Sequence, residues 1–297
     1  MSDITTAFKQ THRSNIELLL QQKKSKLENT VRREPDQVGE MRSFDRIGSV
    51  SGAEVDERHG DTNYTKVPHD RRWLSMTPWD LATLIDRPDK VRTLEDPANA
   101  YAAAHAAAVG RWKDEVIIRA ATGTAMTGKK GDTPVAFDTA NQRIAVDYVE
   151  SGSATDSGLT IGKLRKAKEI LDEAENDEGE ERFCVVTAKQ ITDLLQTTEV
   201  TSADYNGVKA LVHGEVDTFM GFMFKRVSGK LLTKTSSTVR GVLTYVKSGI
   251  LLAIAEELVS DVVRLPTKRY STQVYTALDL GAVRMEEAKV VQILSKE

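Results

Sequence analysis

The sequence predicts an α+β protein, and three observations support this fold class. One long segment, residues 96 to 121, has a strong helical signal. The C-terminal third contains several short runs of β-branched and apolar residues that are typical of strands. Helices and strands follow no regular β-α-β order, and no internal repeat is visible, which argues against a parallel α/β sheet.

Composition excludes several classes of protein. The chain has 297 residues, a formal net charge of −3 and 40% hydrophobic residues, which indicates a folded chain with a sizeable core. The near-neutral charge argues against a dedicated nucleic-acid binder. The longest apolar stretch, Gly249 to Ala255, is far shorter than the roughly 20 residues that span a bilayer. No secretion signal is visible, so we expect a soluble protein made in the cytosol.

The single cysteine, Cys184, argues against an internal disulfide and a cysteine-rich zinc site. It lies in the apolar run Phe183-Cys184-Val185-Val186, which favours a buried and unreactive thiol.

The first segment, up to about Glu34, is predicted to form one polar helix. A thin apolar stripe recurs at helical spacing, basic residues fill much of the rest, and Pro35 ends the helix. The stripe consists of Ile16, Leu20, Leu27 and Val31. Two interpretations stay open: a solvated helix that packs on its own domain, or an arm that binds a neighbouring subunit.

Residues 41 to 76 are predicted to form a long β-hairpin, because two strand-like edges surround a centre rich in Gly, Asp and Glu. The hairpin has too few apolar residues to bury itself, and a lone two-stranded ribbon is marginally stable in water. It should therefore lie over its own domain or be supported by another molecule. His59 and Asp61 match no established calcium or zinc spacing, so we expect a solvated loop tip there.

The strongest helical signal extends from Asp96 to about Ala121. Asp96 is a suitable N-cap, Pro97 suits the first helical position, and the alanine-rich run at 100–108 favours a helix. At 1.5 Å per residue the helix would be a rod of about 38 Å, long enough to form a spine for the fold. His105 has no partner at metal-ligand spacing and is interpreted as an ordinary helix residue.

The second half of the chain is predicted to be mixed at first and then rich in strands. Its predicted elements are a strand at Arg143 to Val149, a helix capped by Thr160 that ends in the acidic run Asp172 to Glu181, a buried strand at Arg182 to Thr187, a short helix at Lys189 to Gln196, and strands at Val216 to Val227, Arg240 to Val246, Ile250 to Ala255, Gln273 to Leu280 and Lys289 to Leu294.

One motif could indicate a nucleotide-binding site. Gly123-Thr-Ala-Met-Thr-Gly128-Lys129-Lys130 matches the phosphate-loop spacing G-x-x-x-x-G-K, but Lys130 stands where a Ser or Thr would bind magnesium. A phosphate loop also needs a strand before it and a helix after it. Here a long helix precedes the motif, and Pro134 follows it. We therefore expect a flexible loop with exposed lysines, and a nucleotide-binding enzyme is a minor alternative.

No other catalytic or cofactor signature is found. The sequence contains no G-x-S-x-G, H-E-x-x-H or G-x-G-x-x-G motif, and its five histidines are scattered. Adjacent carboxylates are plentiful, but neighbouring residues on a strand point to opposite faces. We therefore predict a structural protein with no catalytic residues, no cofactor and no metal.

Several stretches resemble one branch of phage capsid proteins. They are Arg111-Trp-Lys-Asp114-Glu-Val-Ile117-Ile118-Arg-Ala-Ala121-Thr-Gly123, Thr201-Ser-Ala-Asp-Tyr205-Asn, Gly221-Phe222, Lys247-Ser-Gly249 and Tyr275-Thr-Ala-Leu-Asp-Leu-Gly281-Ala-Val-Arg284-Met. Each stretch is short, and their order and spacing carry the likeness. With the order of polar helix, hairpin, long helix and strands, nearly the whole chain is similar to the major capsid proteins of tailed bacteriophages, whose fold is named after phage Hong Kong 97.

The resemblance implies a division of the chain into five segments. Residues 1–40 would be an N-terminal arm, 41–76 an extended loop that crosses a neighbouring subunit, 77–150 a peripheral domain with the spine helix at 96–121, 151–249 an axial domain, and 250–297 a return to the peripheral domain.

The resemblance also implies the function. The chain would self-assemble into pentamers and hexamers of an icosahedral shell that encloses the double-stranded DNA of a tailed phage. Its partners would be copies of itself, scaffold and portal proteins, an optional decoration protein, and packaged DNA contacted non-specifically. It would assemble in the host bacterial cytoplasm and be located in the virion, with no membrane contact. An encapsulin-like nanocompartment shell is the alternative within the same fold.

Six residues are candidates for contact between subunits: Ile16, Leu20 and Leu27 of the arm, and Arg71, Arg72 and Trp73 of the hairpin. Arginine and tryptophan are enriched where interfaces concentrate their binding energy. The alternative for the hairpin residues is a cation–π pair or a salt-bridged edge inside one subunit. Lys66 is the only lysine of the hairpin and nothing marks an acceptor for it, so no covalent cross-link is expected.

Overall fold

The fold is known from a computed structural model that describes residues 22–35, 39–52, 54, 64–86, 98–177, 179–196, 218–232, 234–254 and 259–297. The strands of these residues are β1 (Arg32–Glu34), β2 (Met41–Ile47), β3 (His69–Ser75), β4 (Thr77–Ile85), β5 (Ala125–Thr127), β6 (Thr133–Val135), β7 (Arg143–Ile144), β8 (Arg182–Val186), β9 (Thr218–Phe219), β10 (Phe222–Arg226), β11 (Lys234–Ser236), β12 (Val239–Val246), β13 (Ile250–Ile254), β14 (Val259–Leu265), β15 (Ser271–Arg284) and β16 (Val290–Lys296).

The α-helices of the described residues are α1 (Ala98–Thr122), α2 (Ile161–Glu173) and α3 (Ala188–Gln196). Short 3-10 turns lie at Glu28–Thr30, Lys247–Gly249, Pro266–Lys268 and Glu287–Lys289. This mixture of helices and strands without regular alternation agrees with the predicted α+β class.

The largest sheet has seven strands in the order β7-β16-β12-β8-β10-β9, with β11 paired to the start of β12. Helices α2 and α3 cover one face through Leu164, Leu171 and Leu194. Helix α1 and the segment before β1 contribute Ile117 and Leu27 to the core on the other face. β8 lies between these layers and all five of its residues are buried, which explains its uninterrupted apolar run.

A second sheet of five strands is built around β15, which is 14 residues long. β13 and β14 pair antiparallel with successive parts of β15, β4 pairs with its opposite edge, and β1 runs parallel to β13. Helix α1 packs across this sheet. Its Trp112 ring lies 5.6 Å from that of Trp79, and the buried His105 is hydrogen-bonded to the hydroxyls of Thr83 at 2.8 Å and Thr276 at 3.1 Å.

Most predicted elements of the second half are confirmed. Thr160 caps α2, since its hydroxyl accepts a hydrogen bond from the backbone N–H of Lys163. The predicted strands at β8, β12, β13, β15 and β16 and the helix α3 are observed with boundaries shifted by a few residues. The long helix is confirmed as α1, whereas Asp96 and Pro97 lie outside the described residues.

Three predicted elements are wrong. The described part of the expected N-terminal helix is irregular, with one 3-10 turn and β1, because its backbone bonds to Asp114 and pairs with β13 instead. The strand expected at Arg143 to Val149 shortens to β7. The strand expected at Val216 to Val227 is the hairpin of β9 and β10, because Met220 and Gly221 both have positive φ and form its turn.

Candidate inter-subunit surfaces

The hairpin predicted at residues 41 to 76 is confirmed for its two strands. β2 and β3 pair antiparallel, from Met41 opposite Ser75 to Ile47 opposite His69. Lys66 is exposed. The predicted loop tip with His59 and Asp61 lies outside the described residues.

The base of the hairpin is supported by its own subunit. β3 pairs with β5, which turns back as β6, so that the hairpin becomes part of a four-stranded sheet. The Trp73 indole Nε1 donates a hydrogen bond of 2.6 Å to the backbone oxygen of Gly128. Its ring lies directly over Gly131, where a Cβ would be only 2.8 Å from the Trp73 Cγ. The turn between β5 and β6 therefore fits closely around one tryptophan.

The same turn decides the question of the phosphate loop. Gly123 to Lys130 follows helix α1 and continues into the β5–β6 hairpin, so the strand before the motif and the helix after it are both missing. Gly128 directs its backbone oxygen to Trp73, and Lys129 and Lys130 are exposed. The predicted exposed lysines are confirmed, whereas the expected loop is wrong in part, because Ala125–Thr127 form strand β5 and pair with β3. The local fold does not support nucleotide binding.

Arg72 is an internal anchor of the hairpin and is only 1% exposed. Its Nη2 lies 3.1 Å from both carboxylate oxygens of Glu287 and 3.2 Å from the backbone oxygen of Met285. Arg46, on β2, donates to the same Met285 oxygen. Burial lowers the pKa of Arg72, and the charge of Glu287 opposes that shift. One arginine from each strand thus fastens the hairpin to the body.

Arg71 lies on the opposite face of β3 and pairs across the hairpin. Its Nε lies 2.5 Å from the Asp45 carboxylate, which lowers the pKa of Asp45. On the neighbouring rung Arg46 contacts Asp70, which also accepts a hydrogen bond of 2.6 Å from the Thr127 hydroxyl. The Thr127 bond, with help from Arg46, lowers the Asp70 pKa to about 2. These pairs fix the register of the two strands.

Several described residues beyond the base of the hairpin present apolar side chains to solvent. Tyr64 is 92% exposed and Ile47 is 69% exposed, and Val50 and Val67 are also exposed. Exposed apolar groups gathered on one projecting element are typical of an interaction surface.

The six residues predicted to contact a neighbour fall in different places. Ile16 and Leu20 lie outside the described residues. Leu27 is fully enclosed in the core beside Ile117, and Arg72 is enclosed at the hairpin base. Arg71 and Trp73 flank Arg72 and keep part of their surface. The contacts of Leu27 and Arg72 therefore lie inside the subunit, and a role between subunits stays a prediction for all six.

Metal and thiol chemistry are not indicated by the described residues. No group of three His, Cys, Asp or Glu side chains among them is arranged to hold a metal ion. Cys184 is completely buried as predicted, and burial raises the pKa of its thiol. Within the same residues, no helix is both long and apolar enough to cross a bilayer.

Comparison with protein families decides the identity of the fold. Residues 4–297 match the family model described as phage capsid protein. The chain belongs to the phage capsid protein family. No protein with a curated description matches it. As a member of this family it is a structural protein of the virion shell, and the nanocompartment and enzyme alternatives are not favoured.

Solved capsid structures share the fold of this capsid protein. The capsid of cyanophage P-SCSP1u has a TM-score of 0.74 at 15% identity, covering 99% of this chain and 95% of the other. The capsid of cyanophage Pam1 gives 0.71 at 15% identity, with 98% and 97% covered. The capsid of Ralstonia phage GP4 gives 0.73 at 13% identity, with 97% and 95% covered. The likeness covers the whole capsid fold rather than one domain.

Sequence reasoning missed the residues that hold the hairpin and the N-terminal segment in place: Glu287, Arg284 and Asp114. A signal existed for Arg284, which is the one charged residue in the buried end of β15 and therefore needed a partner. Asp114 similarly lies among residues of α1 that face the core.

Proposed function

We propose that this capsid protein is a major capsid protein of the Hong Kong 97 type that self-assembles into pentamers and hexamers. These would close into an icosahedral shell around the double-stranded DNA of a tailed phage. The observation that carries the proposal is the extended hairpin, whose base is anchored in its own subunit while Ile47 and Tyr64, beyond that base, are exposed. A ribbon that is anchored at its base and carries exposed apolar side chains beyond that base is suited to lie on a second copy.

The proposed domains follow the two large sheets. The five-stranded sheet with α1 would form most of the peripheral domain, and the seven-stranded sheet with α2 and α3 most of the axial domain. β16 comes from the segment 250–297 but pairs with β12 of the segment 151–249, so the chain would end on the axial side. The proposed boundary at residue 250 therefore divides the chain in sequence, but the strands on its two sides share one sheet and one core.

The proposed partners follow from family membership and charge. Copies of the same chain would form the lattice, with scaffold and portal proteins and an optional decoration protein joining during assembly in the bacterial cytoplasm. Packaged DNA would be contacted without sequence preference. The net charge of −3 suits a shell lining, because a strongly basic interior would bind the phosphates tightly.

The test is electron microscopy of the chain expressed in bacteria, after fractionation by size. We expect closed shells or sheets of pentamers and hexamers. The double variant Ile47→Asp with Tyr64→Asp should keep the subunit folded, because both side chains are exposed, and should abolish these particles. Val149→Asp, at an exposed apolar residue outside the hairpin, is the matched control.

Two results would contradict the proposal. The wild-type chain could stay a monomer or dimer even when co-expressed with the other structural genes of its virus. Alternatively, the hairpin variant could form shells in the same yield as the wild type, which would remove the extended hairpin from the interface.

A further inference from the structure

Helix α1 holds the chain segment before β1 through one buried carboxylate. Asp114 is fully enclosed. It accepts hydrogen bonds from the Ser25 hydroxyl at 2.5 Å, from the backbone N–H of Lys26 at 3.1 Å and from that of Leu27 at 3.0 Å. The amide of Gln22 also donates to it. One side chain thus binds four donors from six consecutive residues.

A glycine one turn earlier lets the segment cross the helix at close range. A Cβ on Gly110 would lie 2.7 Å from the backbone nitrogen of Ser25 and 2.8 Å from the carbonyl carbon of Lys24. Both contacts are to backbone, so a side chain at 110 would push the segment away. Gly110 and Asp114 are four residues apart and share one face of α1.

Neighbouring side chains of α1 reinforce the contact. Arg111 donates to the backbone oxygen of Gln22 at 3.3 Å, and the Lys113 ammonium lies 2.8 Å from the Glu28 carboxylate. The segment 22–28 is therefore held at both ends and in its middle. We call Gly110, Asp114 and residues 22–28 the arm clamp.

The clamp limits where the preceding residues can act. Ile16 lies six residues before Gln22, and an extended chain spans at most about 3.6 Å per residue, so the chain cannot carry Ile16 more than about 22 Å from the clamp. The limit that chain length sets for Leu20, two residues before Gln22, is about 7 Å. Any surface of a second copy that receives these two apolar side chains must then come within these distances of the middle of α1.

We propose that the arm clamp positions the N-terminal arm for contact with a neighbouring copy of this chain, with Asp114 and Gly110 as its positioning residues. This inference rests on the proposed function. A fixed starting point makes the arm of every subunit leave in the same direction, and it lowers the conformational entropy lost when the arm binds.

The test compares Asp114→Asn, Gly110→Ala and a variant without residues 1–21 with the wild type. Asparagine keeps the size of the side chain but loses the charge that four donors share. Asp138→Asn is the matched control, because Asp138 also accepts two backbone N–H bonds but in an exposed turn. Two quantities are measured: the rate of tryptic cleavage at Lys23, Lys24 and Lys26 in unassembled subunits, and the yield of shells.

We expect cleavage in the two clamp variants to be faster by about tenfold or more, and the shell yield to fall to that of the variant without the arm. The unfolded fraction of the subunit, measured by circular dichroism, must stay too small to explain either change. If Asp114→Asn does not fold, Ser25→Ala removes one of the four donors to Asp114, together with the bond that the Ser25 hydroxyl accepts from the Glu28 N–H, and should give a smaller change of the same sign.

Unchanged cleavage in the clamp variants would overturn the clamp itself. Faster cleavage with a wild-type shell yield would overturn its role in assembly. A wild-type chain that never assembles would overturn the proposed function, and this inference with it, so the failures of the two proposals can be told apart.

Discussion

The carboxylate of Glu287 lies 3.1 Å from the Nη2 atom of Arg72, and this contact joins the extended hairpin to the turn before β16. The same carboxylate lies 3.5 Å from Nε of Arg284, which is also fully buried. Arg284 in turn donates to the backbone oxygens of Ala121 at 3.0 Å and Gly123 at 2.8 Å, at the end of α1. A continuous chain of polar contacts therefore connects the hairpin base with the end of the long helix.

Replacing Glu287 with alanine should destabilise the subunit by about 3 kcal/mol. The change leaves two buried guanidinium groups without their shared counter-charge, which costs more than the ion pair itself contributes. Chemical denaturation of the unassembled subunit measures the free energy of unfolding. Glu286→Ala is the control, since Glu286 is half exposed and lies 3.4 Å from Lys289, and it should change stability by less than about 1 kcal/mol. Equal effects of the two substitutions would contradict the bridging role of Glu287.

The fit of Trp73 over the β5–β6 turn gives a second prediction. Gly131 has a φ of +73°, and an added Cβ would meet the indole ring at 2.8 Å. Gly131→Ala should therefore cost about 2–4 kcal/mol, from left-handed backbone strain together with overpacking. Gly152 has a φ of +103° with no atom within 4 Å of an added Cβ, so Gly152→Ala should cost only the backbone part, about 1–2 kcal/mol. Urea unfolding measures the loss of stability in each variant. Equal losses for Gly131→Ala and Gly152→Ala would contradict the packing argument.

Some elements could be predicted because the residues that determine them lie within the element or a few positions away. The run from Phe183 to Val186 is apolar on both faces, and a strand buried on both faces needs that composition. Thr160 could be recognised as a cap because its side chain satisfies a backbone donor only three residues away. The extended hairpin was visible because its two edges lie close together in the sequence.

The remaining elements depend on distant parts of the chain. β4 contains Pro78 and Asp80, which disfavour a strand, and its pairing is with β15, almost 200 residues later. Leu27 and Val31 have helical spacing, yet Asp114 binds the backbone donors that a helix would use. No local pattern could reveal this competition. The same holds for the hairpin base, where Arg72 was expected at an interface because Glu287 could not be placed beside it.

The hairpin should show a specific acid dependence through Asp70. Its pKa is lowered from 3.8 to about 2 by the Thr127 hydroxyl and by Arg46, so the folded subunit binds this proton less readily than the unfolded chain. The stabilisation is complete above pH 4 and is lost as the pH falls through the folded pKa. Asp70→Asn should be less stable than the wild type at pH 7, and the difference should shrink between pH 4 and pH 2. A difference that is independent of pH would show that the carboxylate charge does not matter.

Lys163 is an enclosed cation held by backbone oxygens. Its side chain is 0% exposed, and its Nζ donates to the carbonyl oxygens of Val146, Ser157, Gly158 and Leu294, at 2.8, 2.9, 3.0 and 3.1 Å. The ammonium thereby ties the loop before α2 to β16. Lys163→Met keeps the length of the side chain but removes the charged donor from all four oxygens, of which those of Val146 and Ser157 keep one backbone N–H donor each, and this should cost about 2–3 kcal/mol at pH 7. Lys168→Met, on the exposed face of α2, should be close to neutral.

The pH dependence of stability tests the burial of the Lys163 ammonium independently. Burial lowers its pKa from 10.5 to about 8, against the opposing charges of Asp147, Asp156 and Asp193. Between pH 8 and pH 10.5 the unfolded chain therefore binds more protons at this residue than the folded subunit does, and stability contributed by Lys163 rises with pH. The wild type should gain stability relative to Lys163→Met across this range, as measured by urea unfolding at several pH values. A stability difference that stayed constant with pH would mean that the pKa of Lys163 is the same in the folded and the unfolded chain. A difference that fell would mean that the folded pKa is the higher one. In either case burial would not be the main influence on the pKa of Lys163.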